Sequence, residues 1–224
     1  TTFRRRRIQR IKEIALSNAS PLTLYRAVRI AYMYNSQNLL GKDTDMYEYW
    51  ANFAVNENPD KNIINGLYML FTDYPKNRDM KKAQKYADLY AKYWGYEPKS
   101  LHRIGLFELF GINRAQNAQA GLELLKKAVS YENAAATETL AYAYEKGIGV
   151  EKDETRAKEY LDALRRLKPN YVSLADSYIR GRYGIEDIDR AKFILKLGAD
   201  EGSEDAANNL KEFDSFLEKV RGNG

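Results

Sequence analysis

The chain has 224 residues, 44% hydrophobic and 30% charged, with 18 tyrosines, one histidine and no cysteine. That is enough apolar material for a sizeable core and too much for sustained disorder, while the missing thiols exclude disulfides, thiolate metal sites and cysteine nucleophiles together. The formal charge of +5 sits at one end: residues 1–12 hold Arg4, Arg5, Arg6, Arg7, Arg10 and Lys12 and no acid, leaving 30 basic against 31 acidic side chains elsewhere.

A body of nearly zero net charge lacks the spread of cations along one face that a grip on a phosphate backbone needs. Nucleic-acid or anionic-polymer binding through Arg4 to Arg7 is therefore kept only as an alternative. No apolar run approaches the length of a membrane-crossing helix. The opening TTFRRRR has no initiator methionine and no signal-peptide pattern, as expected of a processed product or a piece of a longer protein.

In chain order, residues 3–18 predict a basic helix with Ile8, Ile11 and Ala15 on one face. Ser20-Pro21 then reads as the cap and first turn of the next helix. From there a helical hairpin recurs over about 20–56, 57–98, 99–132, 133–168 and 169–201. Leu140, Tyr144, Gly147, Asp153, Ala157 and Tyr160 return 34 residues later as Leu174, Tyr178, Gly181, Asp187, Ala191 and Ile194. Upstream the same frame gives Ile30, Tyr34, Asp43, Tyr47 and Trp50, then Leu67, Phe71, Asp79, Ala83 and Tyr86 with a loop one residue shorter, then Ile104, Gly111, Asn117, Gly121 and Leu124. A beat of 34 to 38 residues predicts an all-α solenoid of stacked hairpins. Residues 202–221 read as a single closing helix, with Leu210, Phe213, Phe216, Leu217 and Val220 near one stripe that either closes the stack or meets a partner, including another copy end to end.

Each recurring residue type has a physical reason. Asp43, Asp79, Asn117, Asp153 and Asp187 stand where a second helix starts, and their short side chains can accept from its free N–H groups. Gly111, Gly147 and Gly181 stand where a first helix stops, a place that favours left-handed backbone. The small residue four positions after the cap lets the two helices approach closely. The loop GIGVEKD, residues 147–153, is thus a hinge. A phosphate loop would follow a strand and carry Gly-Lys-Ser/Thr, and neither is present.

Ala136, Leu140, Tyr144, Gly147, Gly149, Val150, Asp153, Arg156, Ala157 and Tyr160 fall on a pattern that resembles the Sel-one-like repeat, a relative of the tetratricopeptide repeat, and Lys126-Lys127-Ala128-Val129 supplies the ending of the preceding unit. The resemblance covers roughly residues 20–216; Leu39 and Leu40 stand where the first copy should carry its hinge glycine and valine. It implies a right-handed α-α superhelix of about five hairpins with a single helix at each end. It also implies a non-catalytic scaffold or adaptor with a protein partner and no cofactor. Similar proteins assemble multiprotein complexes, and bacterial members are often periplasmic or outer-membrane tethered, including scaffolds of exopolysaccharide secretion.

In such arrays the first helices line the concave side. The row two residues after the reference leucine carries Tyr32, Met69, Leu106, Tyr142 and Asp176, and the row just before it carries Arg29, Arg103 and Thr139. Aromatic, methionine and arginine side chains dominate recognition sites, so Arg29, Tyr32, Met69, Arg103, Leu106 and Tyr142 are the expected partner-binding residues. The same first helices are apolar nearly all round, and these residues are equally readable as core. Catalytic chemistry has little to work with: His102 stands alone, without HExxH spacing, a serine elbow or paired carboxylates. A hydrolase remains only if carboxylates or a second imidazole converge in the groove.

Overall fold

The computed structural model describes residues 20, 22, 23, 25, 44–73, 77–112 and 115–222. Every regular element among them is a helix: α1 (Thr44–Glu57), α2 (Lys61–Asp73), α3 (Met80–Trp94), α4 (Pro98–Phe110), α5 (Ala118–Val129), α6 (Ala134–Lys146), α7 (Glu154–Leu167), α8 (Tyr171–Ile179), α9 (Ile188–Asp200), α10 (Glu204–Lys211) and α11 (Phe213–Gly222). The basic segment 3–18 lies outside the described residues, as do Arg29, Ile30, Tyr32, Tyr34 and Asp43. The chain divides into two units, residues 1–67 and 68–224, with α2 running across the division.

In the first unit, α1 buries Tyr47, Trp50, Ala51, Ala54 and Val55 at i, i+3, i+4, i+7 and i+8, the spacing of one helical face. Tyr25 shares a hydroxyl–hydroxyl bond of 3.1 Å with Tyr47. Upstream, the Ser20 hydroxyl accepts from the Thr23 N–H at 3.3 Å, the cap expected from Ser20-Pro21.

The second unit is built from hairpins closed in one way. The second-helix caps all form: Asp79, Asn117, Asp153 and Asp187 each accept from the N–H three residues on, at 3.0, 3.2, 3.0 and 2.8 Å. Each cap residue also donates its own N–H back to the preceding helix, Asn117 to Glu108, Asp153 to Tyr144 and Asp187 to Tyr178, nine residues upstream at 3.0, 3.0 and 3.3 Å. Asp79 reaches Phe71, eight residues upstream, at 3.1 Å, which is the shortened loop of the second copy. Gly111 and Gly147 cap their helices in left-handed backbone, φ +64° and +71°, where a Cβ would strain the turn. The recurring aromatics meet across the hairpin: Phe71 stacks on Tyr86 and Tyr144 on Tyr160, with centroids 6.0 and 5.7 Å apart. Where α4 crosses α5 both helices carry glycine, and a Cβ on Gly121 would stand 2.6 Å from the Leu109 nitrogen and 2.8 Å from the Gly105 oxygen.

Two apolar clusters lie among the described residues of α4 to α11. One gathers Leu101, Leu109, Leu125, Ala136 and Leu140; the other gathers Leu106, Tyr142, Leu164, Tyr178, Ile194 and Phe216. Residues two apart on a helix point about 200° apart, so Leu140 and Tyr142 enter different clusters from opposite sides of α6. Nine consecutive residues of that helix, Ala136 to Tyr144, are buried. This is the geometry of a repeat array, in which each first helix is packed between successive hairpins.

The C-terminal stripe closes the stack, with Phe213, Phe216 and Val220 buried in the second cluster. The single helix expected over 202–221 is instead two, α10 and α11, parting at Glu212. The Asn209 side chain donates to the Asp205 carbonyl at 2.7 Å and so competes with the helix's own bond to that oxygen.

Candidate partner-binding groove

The first helices of the second unit line a cavity of about 430 Å³, whose walls include Tyr68, Met69 and Thr72 of α2, His102 and Arg103 of α4, Ala135 of α6 with its cap Asn133, and Ser173, Leu174 and Ser177 of α8. Arg182 and Tyr183, from the hinge after α8, complete it. A cavity of this size suits a small ligand or a few residues of a peptide.

Of the six residues expected to bind a partner, the structure brings Met69 and Arg103 to this cavity. Met69 is 41% exposed, and the Arg103 guanidinium lies 3.9 Å from the centre of the Tyr68 ring, a cation–π stack that holds it along the wall. Leu106 and Tyr142 belong to the core, at 2% and 6% exposure. Their row looks toward the next hairpin, so they have no surface to offer a partner. Arg29 and Tyr32 lie outside the described residues.

The charged side chains among its described lining residues are Arg103, from α4, and Arg182, from the hinge after α8. Among the described residues that line it there is no carboxylate. Arg182 reaches it from a cluster in which Asp176 pairs with both Arg180 and Arg182, each at 2.8 Å, so one carboxylate serves two guanidiniums. His102 adds no charge: burial, reinforced by the neighbouring Arg103 cation, holds its imidazole down to about 3. Thr139 donates its only proton to the Ala135 carbonyl at 2.8 Å, so its oxygen accepts from His102 Nε2–H at 3.2 Å and fixes the tautomer. The imidazole and the Tyr183 ring stand edge to face, with centroids 5.3 Å apart. Among the described residues no group of histidine, aspartate and glutamate side chains is placed to hold a metal.

Comparison with known proteins places this geometry. The model of the Sel1 repeat family matches residues 98–130, 134–163 and 171–203, three successive hairpins of the second unit. The chain carries three Sel1 repeats. Among solved structures, a Sel1 repeat protein from Oxalobacter formigenes is 18% identical with a TM-score of 0.51, covering 89% of this chain and 67% of that one. A Sel1 repeat protein from Klebsiella pneumoniae is also 18% identical, with a TM-score of 0.55, covering 85% and 93%. At that identity the likeness shows the fold, a helical repeat solenoid. No curated protein matches the sequence. Proteins built of Sel1 repeats are in general non-catalytic scaffolds for contacts between proteins.

One feature of these Sel1 repeats escapes the sequence pattern, a charged network buried between the last two complete hairpins. Glu138 is fully buried and accepts from Arg190 Nε at 2.7 Å and from the Tyr178 hydroxyl. Arg190, 4% exposed, also donates to Glu145 at 2.5 Å. The Tyr142 hydroxyl donates to Asp187 at 2.8 Å, so one carboxylate both caps α9 and ties α6 to it. Burial pushes the Glu138 carboxyl above its usual range, against the opposing pull of the Arg190 guanidinium and the Tyr178 proton. Burial and the Asp187 charge likewise raise the Tyr142 phenol. The available signal was Arg190 itself, three residues after its cap, where Arg156 stands in the preceding copy and bonds the Tyr144 hydroxyl at 3.3 Å.

Proposed function

We propose that the chain is a non-catalytic scaffold that holds a protein partner in the groove formed by its first helices. The observation that carries this reading is the cavity itself. Four successive repeats each contribute a wall, and Met69, a flexible apolar side chain of the kind that adapts to varied partners, stands exposed at its rim. Among the described lining residues no carboxylate stands beside the neutral, tautomer-fixed His102, a lining that favours binding over hydrolysis. The partner is inferred to belong to a bacterial cell-envelope or secretion complex, a placement supported by the family resemblance and by the bacterial origin of the similar structures.

The test is a photoreactive amino acid introduced at position 69, with irradiation in the cells of origin and mass spectrometry of the adduct. A single dominant protein adduct, absent when the photoreactive group replaces Tyr131 on the turn after α5, is the expected result. Adducts formed at 131 and not at 69 would move the interface off the groove.

A further inference from the structure

A second cavity, of about 340 Å³, lies on the side of the second helices, where α5 and α7 supply its walls and α6 contributes Tyr144. No described residue lines both this cavity and the groove. Tyr144 and Tyr160 enter it as a stacked pair, parallel to within 13° with centroids 5.7 Å apart. Val129 of α5 and Ala163 of α7 add apolar surface. Its volume stands at the small end of ligand pockets, about 300–1,000 Å³.

The polar groups around it divide by what they lack. The Arg156 guanidinium is committed, pairing with Asp153 and donating to the Tyr144 hydroxyl, both at 3.3 Å. That leaves the Tyr144 proton to give. The Tyr160 hydroxyl makes no hydrogen bond with the described residues, and burial, with the neighbouring Tyr144, raises the phenol so that it keeps its proton at neutral pH. Lys126 on α5 and Glu159 on α7 line the same cavity, yet among the described residues neither side chain enters an ion pair or a hydrogen bond. The cavity therefore offers an ammonium and two phenol protons to an anion, and one carboxylate to a cation. The two charges do not meet, so an occupant that satisfies both must carry both signs itself.

The repeat does not impose this set. At the places of Glu159 and Tyr160 the other copies carry Tyr49-Trp50, Lys85-Tyr86, Glu123-Leu124 and Phe193-Ile194. A carboxylate followed by a phenol belongs to this hairpin alone, and stacking the array needs neither.

We propose that this cavity binds a small zwitterion of the amino-acid or dipeptide kind, its carboxylate on Lys126 and the Tyr144 and Tyr160 hydroxyls, its ammonium on Glu159, and an apolar side chain against Val129 and Ala163. The inference goes beyond the scaffold reading and shares no residue with it, so either can fail alone.

The probes are L-phenylalanine and alanyl-phenylalanine, titrated into the whole isotope-labelled chain and read by amide chemical shifts, beside hydrocinnamate and phenethylamine, which keep the ring and one charge each. At least one zwitterion should bind with a Kd of about 1 mM, shifting the amides of Lys126, Val129, Tyr160 and Ala163. Each single-charge probe should bind about fivefold more weakly, the most an exposed pair contributes. Lys126→Gln should bring the zwitterion level with phenethylamine, and Glu159→Gln level with hydrocinnamate; both positions are exposed, and unchanged shifts elsewhere report the intact fold. Tyr160→Phe, which keeps the ring stack, should weaken the zwitterion and hydrocinnamate alike, about fivefold, and leave phenethylamine unchanged. No saturable shift around the cavity with either zwitterion, single-charge probes that bind as tightly as the zwitterions, or a preference indifferent to the charge at positions 126 and 159 would each overturn the proposal.

Discussion

Replacing Arg190 with methionine isolates the buried network. Methionine keeps most of the arginine stem and removes the guanidinium, leaving the fully buried Glu138 with the Tyr178 hydroxyl as its remaining partner. Breaking one side of a buried ion pair costs about 3–5 kcal/mol, because the surviving charge keeps its desolvation cost and loses its compensation. Arg190→Met should therefore lower the urea midpoint, followed at 222 nm, by that free energy at pH 8. Pairing it with Glu138→Gln, whose carbonyl still accepts from Tyr178, should return about 2 kcal/mol or more. The pH dependence carries a definite sign. Glu138 is already raised by burial, and without the guanidinium its folded form binds a proton that the unfolded chain does not. The cost should shrink as pH falls from 8 to 5. A single variant that loses the same stability at both pH values, and a double variant no better than the single, would refute the reasoning.

Gly121→Ala should destabilise by about 1–3 kcal/mol, because its Cβ meets backbone atoms of α4 rather than a yielding side chain; the about 1 kcal/mol that alanine normally gains over glycine in a helix makes a rise in urea midpoint the opposing result. Asp153→Ala should cost about 1 kcal/mol through loss of the α7 cap, and Asp153→Asn little, measured the same way. His102 titrates near 3 when folded and near 6.5 when unfolded, so below pH 6.5 the unfolded chain binds the extra proton. Stability should fall by up to about 1.4 kcal/mol per pH unit between 6 and 4. His102→Gln should flatten that slope, and an unchanged slope would show that His102 is not its source.

The repeat period, the four hinge caps of the second unit and the glycine stops were legible in the sequence because each is a local event. Asp153 bonds the N–H three residues on, and Gly147 turns its own backbone, whatever hairpin follows. The shortened loop of the second copy was legible for the same reason, as one residue fewer between Phe71 and Asp79. The candidate site was half legible. The row of Arg103 reaches the groove, whereas Leu106 and Tyr142, on helices apolar nearly all round, could be sorted into core or surface only once a neighbouring hairpin was in place.

The sequence by itself determined that the chain turns back on itself at a fixed beat, since hydrogen bonds within one loop decide each turn. Only the tertiary structure decided which faces of the first helices were left over for a groove, that Glu138 meets Arg190 across 52 residues of chain, and that His102 is held neutral. Those outcomes depend on what a helix packs against. Packing partners more than 30 residues away leave no periodic trace in the segment they bury.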